Sequence, residues 1–167
     1  MISIIKTDLS KDVFGVLSTV KDPEIDSVSI IDLGMVENVV CETKENVTIQ
    51  LIPTFLGCPA LEIIAQNVQK ALEESIQLKD AKIEFLKDPH WTSERITEEG
   101  RERLKEFGIA PPPRKLSMVG PWEVNCPYCD SSYTTMENMF GPTACRSILY
   151  CNNCKNPFEA MKPISTL

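Results

Sequence analysis

Two Cys-x-x-Cys pairs, Cys126-Pro127-Tyr128-Cys129 and Cys151-Asn152-Asn153-Cys154, stand 21 residues apart in the last third of this 167-residue chain. That spacing can bring four thiolates to one point, the donor set of a tetrahedral Zn²⁺ site. A module of about 45 residues buries too little apolar surface to fold unaided, so a metal would supply the missing stability. Such a site is closed and structural, with no open position for a substrate. Iron in a tetrahedral thiolate site is the alternative. The glycine that an iron knuckle of that type would carry after each pair is absent, and Asp130 and Lys155 stand there instead. Cys145 is a fifth thiol six residues before Cys151, either a core residue of the ribbon or an additional ligand.

A second chemical feature is Cys58, in Thr54-Phe55-Leu56-Gly57-Cys58-Pro59. Proline favours the first helical position, which makes Cys58 the expected N-cap of the following helix. The sulfur would face unpaired N–H groups and the positive helix end, both of which stabilise a thiolate. Gly57 would let a partner approach closely. The plainer alternative is a small residue filling a turn. Asp32, in Ile31-Asp32-Leu33-Gly34, is either an Asx-turn or cap residue beside a positive-φ glycine, or a carboxylate serving a site with Cys58. Trp122, Tyr128 and Tyr150 are expected to pack over the knuckle thiolates, or to anchor a protein partner. His90 is the only histidine; with Trp91 it is expected to pack on the first domain rather than bind metal.

The elements that must position these groups follow from periodicity. Leu9, Val13, Phe14, Val16, Leu17 and Val20 recur at helical spacing over residues 9–20, capped by Asp8 or Ser10 and stopped at Asp22-Pro23. Residues 25–34 read as extended or loop-like. Strands are expected over 36–41 and 47–52, joined by the turn 42–46. A helix is expected from Pro59 to Gln77, burying Leu61, Ile64, Ala65, Val68, Leu72 and Ile76, and then a strand over 81–86. The result is an α+β fold, a two-layer α-β-β-α-β domain, followed by a helix that starts at Thr97 and stops at Gly108, and by a small four-cysteine zinc ribbon. Ile109 to Pro113 reads as a stiff linker. The expected divisions are 1–90, 91–115 for the helix and Pro-rich linker, and 116–167 for the ribbon.

Composition narrows the function classes. Apolar residues make up 43% and charged residues 25%, with a net charge of −7. Residues 1–110 carry −8 and residues 111–167 carry +1. The basic footprint of nucleic-acid binding is missing, and a protein partner fits better. No apolar run reaches the roughly 18 residues of a membrane span. A cytoplasmic protein with reduced thiols is expected. There is no Gly-x-Gly-x-x-Gly loop, no phosphate-binding P-loop and no Glu-x-x-His pair, so nucleotide and di-iron carboxylate chemistry have no obvious place.

Asp22-Pro23-Glu24-Ile25, Ile31-Asp32-Leu33-Gly34-Met35-Val36 and Thr54-x-x-Gly57-Cys58-Pro59 together resemble the signature of the MIP18-like iron–sulfur assembly domain, also found in SufT-type proteins. With Trp91-Thr92, Glu99-Gly100-Arg101, Phe107-Gly108-Ile109-Ala110-Pro111-Pro112 and the four-cysteine ribbon, the architecture is similar to the PaaD (or PaaJ) family. That family is encoded with the multicomponent phenylacetyl-CoA monooxygenase, or epoxidase, of aerobic phenylacetate breakdown. The resemblance implies an accessory role in maturing an iron or iron–sulfur centre rather than oxidation itself. It implies Cys58 as a reactive, metal-transferring thiol, with Glu24 and Asp32 at the acidic positions and Thr54 in the same motif. It implies structural Zn²⁺ on Cys126, Cys129, Cys151 and Cys154, a transient iron or iron–sulfur cargo, and the di-iron oxygenase or iron–sulfur reductase subunit as partner. A homodimer sharing a site stays open. Two other classes stay in play: a zinc-ribbon nucleic-acid module, and a thiol enzyme with Cys58 as nucleophile and His90 as base.

Overall fold

Alternating and helical apolar patterns resolve into two compact units in a computed structural model, Met1–His90 and Trp91–Leu167. The structure describes residues 8–43, 45–114 and 123–164. The expected packing of Trp122 lies outside the described residues.

In the first unit, helix α1 (Asp8–Leu17) buries Val13, Val16 and Leu17. Ser10, one of the two expected caps, lies inside this helix and is 1% exposed. A short antiparallel pair follows, β1 (Lys21–Asp22) with β2 (Ile25–Ser29). Its turn is made by Asp22, whose Oδ1 accepts from the Glu24 and Ile25 N–H groups at 2.8 and 3.1 Å. Strand β2 falls within the segment 25–34 expected to be extended or loop-like, and β1 at the expected helix stop.

The main sheet has the order β3-β4-β5, with β3 (Val36–Cys41) antiparallel to β4 (Val47–Leu51) and β4 parallel to β5 (Ala81–Phe85). Helix α2 (Leu61–Ile76) makes the parallel crossover. Along β4 the side chains alternate, Val47, Ile49 and Leu51 buried and Thr48 and Gln50 half-buried on the other face. On that face Asn38 donates to Gln50 at 3.1 Å and Gln50 to Glu84 at 3.2 Å, a polar ladder across all three strands that matches the register. Ile64, Val68 and Leu72 of α2 are buried, and α1 packs on both α2 and β3. This is the expected two-layer α+β arrangement.

The second unit opens with Trp91, 2% exposed, and a 3₁₀ turn, Ser93–Arg95. Trp91 is the first residue of the second unit, and His90, the last of the first, is exposed. Helix α3 (Glu98–Glu106) is capped by Thr97, whose Oγ1 accepts from Gly100 N–H at 3.0 Å. Gly108, at φ +90°, lets the chain leave it. Arg101, 6% exposed, donates to the Pro112 carbonyl at 2.6 Å and the Ser93 carbonyl at 2.9 Å. Ser93 in turn pairs with Ile164, N–H to carbonyl at 2.8 Å in one direction and Ile164 N–H to Ser93 Oγ at 2.8 Å in the other.

The sheet of this unit has the order β6-β9-β8-β7. Strands β7 (Thr134–Asn138), β8 (Arg146–Cys151) and β9 (Pro157–Met161) are antiparallel neighbours, and β6 (Ile109–Ala110) is parallel to β9. Ile109 and Ala110, read as part of a linker, are thus extended but buried in the ribbon's sheet, at 2% and 0%. Local periodicity carries no sign of a two-residue strand whose partner lies 50 residues away. The core gathers Ala110, Val124, Leu149, Phe158 and Ala160 with two of the knuckle cysteines, Cys126 and Cys151.

Candidate functional site

The two motif loops of the first unit lie at one end of its sheet. Ser29-Ile30-Ile31-Asp32 leads into β3, and the Cys58 loop follows β4. Met35 and Ile52 are tied by a backbone bond at 2.7 Å, which sets the two segments side by side. Asp32 and Ser29 cap each other: the Ser29 N–H donates to Asp32 Oδ2 at 3.1 Å, and the Asp32 N–H to Ser29 Oγ at 3.0 Å. Gly34 follows at φ +67°, as the turn reading expects.

Around Cys58 the structure departs from expectation. Helix α2 starts at Leu61 with Ala60 as N-cap and no side-chain cap, so Cys58 is two residues short of the cap position. Pro59 sits in an intervening turn, in which the Leu61 N–H faces the Cys58 carbonyl at 3.5 Å, an i to i+3 closure rather than a helical one. Before it, the Cys58 N–H donates to the Phe55 carbonyl at 3.2 Å. Gly57 occupies the third position of that turn at φ +96°, the conformation a type II turn demands of glycine. A Cβ there would meet nothing within 4 Å, so the glycine serves the backbone angle rather than close approach. Cys58 is half-buried, Thr54 is 9% exposed, and Glu24 lies half-buried in the β1–β2 turn. Beside Cys58, Phe55 and Leu56 are exposed.

In the ribbon, one ligand atom from each of Cys126, Cys129, Cys151 and Cys154 lies within 4.8 Å of the others. Sulfur pairs stand at 3.7 Å (Cys126 and Cys154) and 3.6 Å (Cys129 and Cys151), a cage of the size a single tetrahedral ion fills. Each knuckle is closed by the same device: the Asp130 N–H donates to the Cys126 carbonyl and the Lys155 N–H to the Cys151 carbonyl, both at 2.9 Å. Asp130 and Lys155 hold φ of +57° and +62°, so both take the left-handed position without a glycine.

The donors around the sulfurs favour thiolates. Asn153 Nδ2 approaches Cys129 Sγ at 3.6 Å, Asn156 Nδ2 approaches Cys154 Sγ at 3.5 Å, and the Cys154 N–H approaches Cys151 Sγ at 3.5 Å. The Asn153 amide, with the Ser131 backbone, brings Cys129 down to about 6. Asn156 lowers Cys154 in the same way. Burial pushes the Cys126 thiol up to about 12, so its ionisation calls for a cation in the cage. The donor set therefore fits a divalent metal. Sequence reasoning passed over Asn153 and Asn156; amides interleaved with a knuckle are the signal that would have found them.

Cys145 lies outside the four-thiol group, on the turn before β8, half-buried with its Sγ 3.2 Å from Thr143 Oγ1. Tyr128 is 57% exposed and leans toward Gly108; Tyr150 is half-buried on β8. Cys41 is buried in β3. Among the described residues the ribbon cysteines are the only three or more His, Cys, Asp or Glu side chains close enough to share an ion. Glu24, Asp32 and Cys58 thus form no three-ligand metal site within one chain. Among the described residues no helix is long and apolar enough to cross a membrane.

Comparison with known proteins agrees with both halves. Residues 10–85 match the family described as iron-sulfur cluster assembly protein, and residues 110–162 match the PaaD zinc beta ribbon domain. An Escherichia coli protein named as a putative subunit of 1,2-phenylacetyl-CoA epoxidase is 38% identical over 92% of this chain and 92% of its own length. The Bacillus subtilis Fe-S protein maturation auxiliary factor YitW is 33% identical over 53% of this chain and 86% of its own. The crystal structure of a DUF59 domain from Bacillus anthracis superposes with a TM-score of 0.53 at 27% identity, covering 56% of this chain and 89% of that one. Fold and site thus define an iron–sulfur-assembly type domain joined to a four-cysteine metal-binding ribbon. The chain belongs to the PaaD family.

Proposed function

We propose that this protein is an accessory subunit of a multicomponent phenylacetyl-CoA epoxidase, helping to install or maintain the metal centre of its oxygenase or reductase. The observation that carries this reading is the union of both modules in one chain, alike along 92% of its length to a protein named as a putative subunit of that enzyme. Iron or a nascent iron–sulfur cluster is the cargo, and Cys58 is the thiol that takes it and gives it up. Glu24, Asp32 and Thr54 belong to the motifs around it. The contrast between the two cysteine sites supports the division of labour. Four thiols converge in the ribbon, a closed set suited to one structural Zn²⁺ on Cys126, Cys129, Cys151 and Cys154. The Cys58 loop offers no comparable set, so a metal taken there is incompletely coordinated and can leave for a client.

The test is anaerobic purification of wild type and Cys58→Ser, with zinc, iron and acid-labile sulfide measured per chain, together with epoxidase activity in cells carrying each form. About one zinc in both proteins, iron in wild type alone, and loss of epoxidase maturation in the variant are expected. A Cys58→Ser protein that supports full epoxidase activity overturns the assignment.

A further inference from the structure

The second knuckle carries three asparagines, Asn152, Asn153 and Asn156, and their amides have separate destinations. Asn153 Nδ2 reaches across the cage to Cys129 Sγ of the first knuckle at 3.6 Å. Asn156 Nδ2 approaches Cys154 Sγ at 3.5 Å and is steadied by the Cys154 carbonyl, to which it donates at 3.2 Å. Asn152 Nδ2 serves no sulfur and donates to Thr135 Oγ1 at 2.6 Å. The four sulfurs also differ in setting. Cys126 and Cys151, 1% and 0% exposed, belong to the ribbon core, whereas Cys129 is exposed and Cys154 half-buried.

Burial shields the inner pair from water, and main-chain N–H groups meet it: those of Tyr128 and Cys129 at Cys126, and that of Cys154 at Cys151. The outer pair has main-chain donors as well, from Ser131 at Cys129 and Asn156 at Cys154. Among the described residues, a side-chain amide joins them only at this outer pair. A thiolate open to water meets competing protons and chelators, and an N–H held on its sulfur stabilises the charged form that binds a cation. The two amides thus stand at the two sulfurs with most need of a donor. Asn153 does more, because its bond joins residues 24 apart and ties one knuckle to the other.

We propose that Asn153 and Asn156 are positioning residues that set how firmly the ribbon holds its ion, by anchoring the two outer thiolates. The inference rests on the reading of the four thiols as a Zn²⁺ site and is independent of Cys58 and of any client. The experiment strips the full chain of metal anaerobically and titrates Zn²⁺ back in competition with a chromophoric chelator, with Co²⁺ as a spectroscopic probe of the sulfurs. Asn153→Ala and Asn156→Ala should each weaken Zn²⁺ binding about tenfold, and the double variant about a hundredfold. Asn153→Asp keeps the side chain's shape but puts a carboxylate where the donor stood, so it should weaken Zn²⁺ at least as much as Asn153→Ala does. A purely structural role reverses that order, with the isosteric variant close to wild type. The thiolate-to-cobalt charge-transfer band should move to lower energy in both alanine variants, because a sulfur without its donor gives up charge more readily. Asn152→Ala, whose amide serves Thr135, should hold Zn²⁺ as wild type does. Equal Zn²⁺ affinity of wild type and the double variant, or an Asn153→Asp protein that binds as tightly as wild type, overturns the assignment and leaves the zinc site standing. A loss in Asn152→Ala equal to that in Asn153→Ala makes the effect one of knuckle structure and overturns it too. A wild-type chain that takes up no Zn²⁺ removes both the site and the inference.

Discussion

Stripping the metal from the ribbon should unfold the sheet of the second unit and leave that of the first protected. Of the seven residues in the ribbon core, Cys126 and Cys151 are themselves thiol donors, and only Val124, Leu149 and Phe158 are large apolar side chains. Those three contribute about 1.5–3 kcal/mol each when fully buried, about 5–9 kcal/mol together. A structural zinc ion on thiolates contributes about 10–16 kcal/mol at neutral pH. Ile109 and Met161 of the same sheet are buried too and raise the apolar term to about 8–15 kcal/mol, the same size as the metal term, so losing the ion removes about half of what holds the sheet. The first unit has a larger apolar core of its own, with Val47, Ile49, Leu51, Ile64, Val68 and Leu72 each at most 1% exposed. The assay is hydrogen exchange read by mass spectrometry before and after anaerobic chelation, with metal content measured on the same samples. Amides of β8 and β9 should lose about 100-fold or more in protection, and those of β3, β4 and β5 should keep theirs. A ribbon that stays protected after its metal has demonstrably left would refute the comparison of the two terms.

Three further outcomes are expected. Gly108→Ala should destabilise the protein by about 1–3 kcal/mol in urea denaturation, since position 108 holds φ +90° and a Cβ would lie 3.0 Å from the Tyr128 hydroxyl; adding Tyr128→Ala should recover only the steric part. Thr97→Ala should cost about 1 kcal/mol by removing the cap of α3, read as a fall in denaturation midpoint at unchanged slope. Asp32→Asn keeps an oxygen for the Ser29 N–H, so stability should hold within about 0.5 kcal/mol while iron per chain falls; unchanged iron would leave Asp32 as a turn residue alone.

The parts of the fold that were legible in the sequence are those set by short-range physics. The burial of Ile64, Val68 and Leu72 follows from helical spacing, the cap at Thr97 from its hydroxyl and its place before Glu98-Glu99, and the turn at Gly34 from the Asp-Leu-Gly run. The knuckles were legible because two thiols three residues apart can close on one point wherever the chain goes. Asp130 and Lys155 show the limit of that logic: the left-handed position was required, and its usual residue was not. The start of α2 was misplaced because the proline rule takes the turn Cys58–Leu61 for the first turn of a helix, when a tighter closure precedes it. The pairing of β6 with β9 depends on contacts far along the chain, and nothing in its neighbours announces it.

The bonds between Ser93 and Ile164 set two points 71 residues apart against each other. Ser93 and Ile164, near the two ends of the described part of the second unit, are therefore held side by side. A segment built this way can be spliced into a loop of another protein without stretching its host. Such a graft has to start at Trp91. Cutting after the prolines would strip away β6 and leave one side of β9 as a bare sheet edge, open to pairing with other chains. The transferable piece is thus longer than the cysteines suggest, and its first helix travels with it.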